Sequence, residues 1–259
     1  MKILFIGDIV GSPGRKALAE VLPRLRKEWG PLDFVLANGE NAAAGFGLTD
    51  RVFSEILDAG VDCLTSGNHV WDKRDFLETL AAEKRIIRPA NYPPGCPGQG
   101  VAFLERSGKK LAVLNLQGRV FMPTIDCPFR IADSILQDLD LPTCVFVDFH
   151  AEATSEKKAL GLYLDGRVSA LVGTHTHVQT ADESILPGGT AYLTDCGMTG
   201  GHGGVIGMRK EGVLPRFLTA MPTKFEVCEE ALRLNAVIVE IDDETGKAFD
   251  IRRLDVPVH

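Results

Sequence analysis

Five sequence-distant groups of polar residues each close a short hydrophobic run: Asp8, Glu40 with Asn41, Asn68 with His69, His150, and His175 with His177. Together they offer carboxylate, amide and imidazole donors, the nitrogen and oxygen set that suits divalent transition ions. His175 and His177 are two residues apart, and alternate residues of an extended segment point the same way. Singly, each has a plainer reading: Asp8 as a helix cap, Glu40 and Asn41 as loop polarity, His150 as a hydrogen-bonded core histidine. Their joint placement points instead to a shared metal site. A glycine stands directly before Asp8, Glu40 and Asn68, and the pair His175 and His177 follows Gly173 closely. Lacking Cβ, glycine lets the chain turn sharply and bring side chains toward a common centre.

The elements that must position these groups follow from periodicity. Short β-rich runs alternate with helical patterns, as in an α/β chain whose sheets contain parallel strands. Lys2 to Ile6 reads as a strand, followed by a helix capped by Ser12, with Pro13 at its first position and Leu18, Val21, Leu22, Leu25 and Trp29 as its buried stripe; Pro23 implies a kink. Asp33 to Leu36 is a second strand. Thr49 caps a second helix that ends at Gly60, Asp62 to Thr65 is a third strand, and Asp75 to Ala82 a third helix. Further on, GVAFLER and KLAVLNL form a hairpin around SGKK, a short helix lies near 131–139, and the strand TCVFVDF (143–149) leads to His150. A helix near 155–164, the strand RVSALVG before His175, the hairpin SILPGGTAYLT and two closing strands near 234–241 and 248–254 complete the pattern. Ligands in such folds bind outside the carboxyl ends of the strands, so the five groups are expected on one rim.

Composition bounds the chemistry. The 259 residues, 45% hydrophobic, make one domain (1–259) with a substantial core. Glycine is frequent at 27 residues and histidine scarce at six, four of them in the groups above. A formal net charge of −7 argues against stable DNA binding, yet leaves room for a local cationic pocket. The six cysteines form no CxxC pair, so reduced thiols are expected. The opening MKILFIGDIV is too short for a secretory apolar region and no run is long enough for a membrane span, so a cytoplasmic location is expected.

The longer runs are more specific: GDIVGSPGR (7–15), NGENAAAGFG (38–47), SGNHVWD (66–72), RPANYP (88–93), DFHAEATSEK (148–157), GTHTHVQTAD (173–182) and TDCGMTGG (194–201). Across essentially the whole chain these resemble the calcineurin-like metallophosphoesterases, in their bacterial YmdB-type branch. The wider superfamily usually has Asp-x-His in its first motif and a bridging aspartate. Here Ile9 and Val10 follow Asp8, and Glu40 stands at the bridging position, with Asn41 making up for the missing histidine.

The resemblance implies an α/β fold, a four-layer α-β-β-α sandwich of two mixed sheets flanked by helices, and two divalent metal ions. Asp8, Asn41 and His177 would hold one ion and Asn68, His150 and His175 the other, with Glu40 bridging. Iron or manganese suits this mixed set best, with zinc as a third candidate. Ions, carboxylates and a bridging hydroxide together leave about one positive charge for an anionic substrate. The implied reaction is phosphodiester hydrolysis, with a metal-bridging hydroxide attacking phosphorus and His69 as general acid. A cyclic nucleotide is the implied substrate, 2′,3′-cyclic nucleotides foremost. Ser12, Asn91 and Arg119 lie in loops that could contact phosphate or ribose, or else serve as cap, turn former and surface charge. His202 sits in a glycine-rich stretch near the same motifs, and the terminal His259 has no expected role.

Three other readings compete. An amidohydrolase also uses an HxH pair, but on the first strand of a barrel, whereas His175 and His177 come late. A dinucleotide-binding or P-loop site fails because neither GxGxxG nor GK[ST] occurs. A regulatory or RNA-interacting protein with structural metals lacks the expected basic stripe and rich aromatic content, aromatics being 7%. The irregular 118–131 segment, with Val120, Phe121, Met122 and Phe129, reads as an interface or a lid, and a homo-oligomer is expected.

Overall fold

The computed structural model describes residues 1–138 and 144–258. The chain begins β1 (Lys2–Ile6), β2 (Asp8–Ile9), α1 (Gly11–Trp29), β3 (Phe34–Asn38), α2 (Asp50–Asp58), β4 (Cys63–Thr65) and α3 (Leu77–Ala82). It continues with β5 (Val101–Arg106), β6 (Lys109–Gln117), α4 (Pro128–Asp138), β7 (Cys144–His150), α5 (Thr154–Tyr163) and β8 (Ala170–Thr174). The last third holds β9 (Ser184–Ile185), β10 (Ala191–Leu193), β11 (Met198–Gly201), α6 (Lys210–Thr219), β12 (Leu232–Ile241) and β13 (Ala248–Pro257). The expected helix end at 139, the strand start at Thr143 and His259 lie outside the described residues.

Among the described residues the strands form two mixed sheets. One runs β2-β11-β12-β1-β3-β4 with β13 added to β12, and the other β5-β6-β7-β8-β10-β9. β1, β3 and β4 are mutually parallel in the first, as are β6, β7, β8 and β10 in the second. Both faces of each central strand are covered, which is why those strands read as nearly continuous apolar runs. In β1, Leu4 and Ile6 face the helices while Ile3 and Phe5 face the opposite sheet. Phe5 meets Phe146 of β7 with ring centroids 5.0 Å apart. Each such buried side chain contributes about 1.5–3 kcal/mol. Leu18, Val21, Leu22 and Leu25 of α1 cover one outer face with Val52, Phe53 and Ile56 of α2; α5, through Leu160, covers the other. The result is the expected four-layer sandwich.

A polar clamp joins the sheets away from the rim. Asp33 Oδ2 accepts from the Lys2 backbone N–H at 2.7 Å and from Lys109 Nζ at 2.8 Å, and Arg106 donates to Asp62. The β5–β6 hairpin forms as expected, with Ser107 and Gly108 both at positive φ.

Local expectations needed correction in several places. α1 starts at Gly11, so Ser12 lies inside the first turn and Val10 is the N-cap without a side-chain bond. The reason is tertiary: Val10 N–H donates to the Thr199 carbonyl and Gly11 N–H to the Asn41 carbonyl, which fixes the entry of the chain. Pro23 remains within the continuous α1. Thr49 does cap α2, accepting from Val52 N–H at 3.4 Å. The third helix is divided into a 3-10 turn over Arg74–Phe76 and the short α3. β2, β11 and α6 had no counterpart in the periodicity.

Candidate active site

The parallel strands of both sheets end on the same rim. Asp8 follows β1, Glu40 and Asn41 follow β3, Asn68 follows β4, His150 ends β7, and His175 and His177 follow β8. Register aligns the scaffold: Asn38 pairs with Thr65 across β3 and β4, and His150 with Thr174 across β7 and β8. Asn38 Nδ2 then crosses between the sheets to Asp148 Oδ2 at 3.0 Å.

His150, fully buried, is the hub. Its Nε2 lies 2.9 Å from Glu40 Oε1, 3.2 Å from Asn68 Oδ1 and 3.0 Å from His175 Nδ1. Glu40, His150 and His175 place ligand-capable atoms within 4.8 Å of one another. On the other side, Asn41 Nδ2 is 3.3 Å from Glu40 Oε1 and 3.1 Å from His177 Nε2, which lies 3.8 Å from Asp8 Oδ1. Glu40 thus touches both groups. Asp8 Oδ2 accepts from the His175 backbone N–H at 3.1 Å, while the buried Oδ1 has no hydrogen-bond partner. A carboxylate oxygen withdrawn from water needs a compensating cation or donor, so this orphan fits a metal ligand. Gly67 gives the same message, because a Cβ there would collide with the His150 ring and with Glu40 Oε2.

The electrostatics are those of buried carboxylates and imidazoles pressed together. Burial pushes the Asp8 carboxyl up, against the pull of His177 and His150. Burial also acts to raise Glu40, but the charge and hydrogen bond of His150 hold it down at about 2. Conversely, burial acts to lower His150, and Glu40 outweighs it to bring it up to about 9. Burial, reinforced by the positive charge of His150, brings His175 down to about 3.

His69 sits at the edge of this cluster. Its backbone N–H donates to Glu40 Oε2 at 3.1 Å, its Nδ1 lies 2.8 Å from Asp72 Oδ2, and its ring packs edge-on against Phe46 at 4.9 Å. A cavity of about 730 Å³ opens over Glu40, Asn41, His69, His175 and His177, within the ~300–1,000 Å³ of small-molecule sites.

The three expected substrate contacts do not join this cavity. Asn91 is fully buried and committed to backbone: its amide donates to the carbonyls of Gln117 and Asp126, and its oxygen accepts from Gln117 N–H. Arg119 reaches Cys127 Sγ at 3.3 Å, while its backbone N–H is held by Glu156. Ser12 is exposed on the first turn of α1 and is absent from the cavity's lining. His202 lines an adjoining groove with His177 and its Nε2 lies 3.3 Å from the Met198 carbonyl.

Several supporting residues were missed in the sequence. Asp148 accepts from Thr65, from Thr174 at 2.7 Å and from Asn38; Thr174 Oγ1 in turn lies 2.9 Å from His150 Nδ1. This chain fixes the imidazole from behind, the usual task of groups around a metal ligand. Lys157, fully buried on α5, donates to Asp195 Oδ2 at 2.6 Å. Asp195 also receives Thr176 N–H and Oγ1 at 3.2 and 2.8 Å and Gly197 N–H at 2.8 Å, anchoring the turn between His175 and His177. Both histidines have positive φ, 98° and 65°, which this anchoring sustains.

The chain is similar to known proteins over nearly its whole length. A family model described as YmdB-like protein matches residues 4–254. A 2′,3′-cyclic-nucleotide 2′-phosphodiesterase of Bacillus subtilis (strain 168) is 51% identical over 255 residues, covering 98% of this chain and 96% of that one. A hypothetical protein from Thermus thermophilus superimposes with a TM-score of 0.93 at 44% identity, covering 99% of each chain. A novel phosphatase of Mycoplasma pneumoniae gives a TM-score of 0.94 at 34% identity, covering 99% of this chain and 93% of that one.

Proposed function

Because this chain belongs to the YmdB-like protein family, we propose that it is a phosphoric diester hydrolase that opens 2′,3′-cyclic nucleotides at a two-metal site. The observation that carries the reading is the ring of donors around Glu40, with Asp8 Oδ1 buried and unsatisfied beside His177. Asp8, Asn41 and His177 would hold one ion, Asn68, His150 and His175 the other, with Glu40 between them. Iron or manganese suits the set, and ions bound there would supply an acidified water and charge neutralisation on the phosphoryl oxygens.

The chain's own residues do the rest. Asp72 occupies Nδ1 of His69, which fixes the ring and leaves Nε2 to hand a proton to the departing ribose O2′. The Asp148–Thr174 pair keeps His150 from rotating, and Asp195 keeps His175 and His177 in register. Phe46 shields one flank of His69 from water.

The HxH pair lies at the rim of a two-sheet sandwich, which leaves the barrel-based amidohydrolase reading without support. No helix among the described residues is long and apolar enough to cross a membrane, and all six cysteines are free, in keeping with the cytoplasmic placement we propose. Phe121, 89% exposed, and Val120 mark the 118–131 segment as the face we propose for self-association.

The test is to purify the protein with added Mn²⁺ or Fe²⁺ and offer a chromogenic phosphodiester, a phosphomonoester, a carboxylic ester and a 2′,3′-cyclic nucleotide. Metal-dependent cleavage of the two diesters alone is expected. Inactivity on all four, with RNA copurifying, would favour a regulatory protein with structural metals.

A further inference from the structure

The cavity over the candidate metal ligands has two unlike walls. One carries Glu40, Asn41 and the histidines; the other is built by the segment after β11 and by α6, and presents Ile206, Phe217, Phe225 and Arg216. A phosphodiester group needs only the first wall. The second is nevertheless fixed in relation to it, since the Ile206 carbonyl accepts from His177 Nδ1 at 2.9 Å and Gly45 leaves no slack against Met208, whose Cε would lie 3.0 Å from a Cβ there.

Arg216 is the informative member. Its guanidinium carbon lies 5.3 Å from the centroid of the Phe225 ring, so the cation is held against an aromatic face. Among the described residues its side chain has neither a hydrogen bond nor an ion pair, unlike Arg15, Arg106 or Arg233. Its donors are therefore unspent at the mouth of an apolar wall. Phe217 lines the same wall while 80% exposed, leaving a ring face for a planar group.

We propose that Arg216 and Phe225, with Phe217, form a nucleobase subsite for the substrate whose cyclic phosphate lies over the histidines. This rests on the cyclic-nucleotide reading and extends it to the choice of base. Aromatic and guanidinium surfaces stack bases of any sequence. The guanidinium adds direction, because it offers donors only. Guanine presents two acceptors, O6 and N7, on one edge, whereas the matching edge of adenine pairs an acceptor with a donor. The subsite therefore favours guanine.

Two measurements on wild type, Arg216→Gln, Arg216→Lys and Phe225→Leu test this. The first is kcat/KM for 2′,3′-cyclic GMP, for 2′,3′-cyclic AMP and for a base-less chromogenic diester. Wild type should prefer the guanine substrate, and Arg216→Gln should lower the ratio of cyclic GMP to base-less diester about tenfold through KM, bringing the two purines level. Phe225→Leu should lower both purines against the base-less diester, and Arg216→Lys, which keeps the charge without the fork, should not restore the guanine preference. The second is calorimetric binding of guanosine 3′-monophosphate, which needs no turnover and should weaken about tenfold in Arg216→Gln. A wild type that cleaves the base-less diester but no cyclic nucleotide defeats the substrate reading, while calorimetry still decides the subsite. Unaltered ratios, unaltered binding, an adenine preference in wild type, or full rescue by Arg216→Lys would overturn the subsite.

Discussion

Replacing Lys157 with methionine tests how the candidate ligands are held. The ammonium sits 2.6 Å from Asp195 Oδ2, with side-chain exposures of 0% and 1%, so Lys157→Met keeps most of the volume and strands a carboxylate away from water. Breaking one side of such a buried pair costs about 3–5 kcal/mol. For a chain of this size that corresponds to a fall in Tm of roughly 6–20 °C. Asp195 also receives Thr176 and Gly197, so disturbance there reaches His175 and His177, and metal content should fall together with stability. The double variant Lys157→Met/Asp195→Leu separates the two effects. It removes both charges and should recover part of the stability, because an apolar pair avoids the stranded charge while Thr176 and Gly197 lose their acceptor. It also removes the acceptor for Thr176, so metal content should stay low. Urea unfolding gives the first quantity and elemental analysis the second. A single variant within about 1 kcal/mol of wild type, or a double variant that regains both stability and metal, would refute the reasoning.

Gly67→Ala should abolish metal binding, since Gly67 has no positive φ and the added Cβ acts only by striking His150 and Glu40; elemental analysis of the folded variant is the check. His69→Ala should lower kcat about 10²–10⁴-fold with metal content intact, and Asp72→Asn should lower it less, whereas joint loss of metal and activity would make His69 a ligand. At the far clamp, burial acts to raise Asp33, but the hydrogen bonds from Lys109 and the Lys2 N–H bring it down overall, so its stabilisation is present above the unfolded carboxyl value and lost as pH falls. Asp33→Asn should therefore cost about 1 kcal/mol or less at pH 7 for this partly exposed pair, with the gap closing below about pH 4; urea unfolding at both pH values measures it.

Which features could be read from the sequence follows from where the signals lie. Strand ends were legible because an apolar run stops at a polar residue, and that placed Asp8, Glu40, Asn68, His150 and His175 on one rim. Asp148 and Asn38 lie inside fully buried runs, CVFVDFH and FVLAN, where a lone polar residue has no periodic signal; only the partner across the sheets explains it. Lys157 gave the signal of a surface charge, and its partner Asp195 is 38 residues away in the turn between β10 and β11. Asn91 read as a turn former open to ligand, but its neighbours Gln117 and Asp126 claim both ends of the amide. Helix α6 escaped notice because Gly212 and Pro215 interrupt it and only Val213 is buried, with Leu214, Phe217 and Leu218 turned outward. Segments facing a cavity lack the core-facing stripe on which helix periodicity depends.

The central claim is that Asp8 through His177 form a two-metal site that opens a cyclic phosphodiester. The most direct measurement is to strip the protein of metal, add Mn²⁺ stepwise, and follow bound metal and hydrolysis of a 2′,3′-cyclic nucleotide in the same samples. Activity should rise with occupancy, reach its plateau at two ions per chain and release the 3′-monophosphate. Full activity without metal, or a plateau at one ion per chain, would contradict the account.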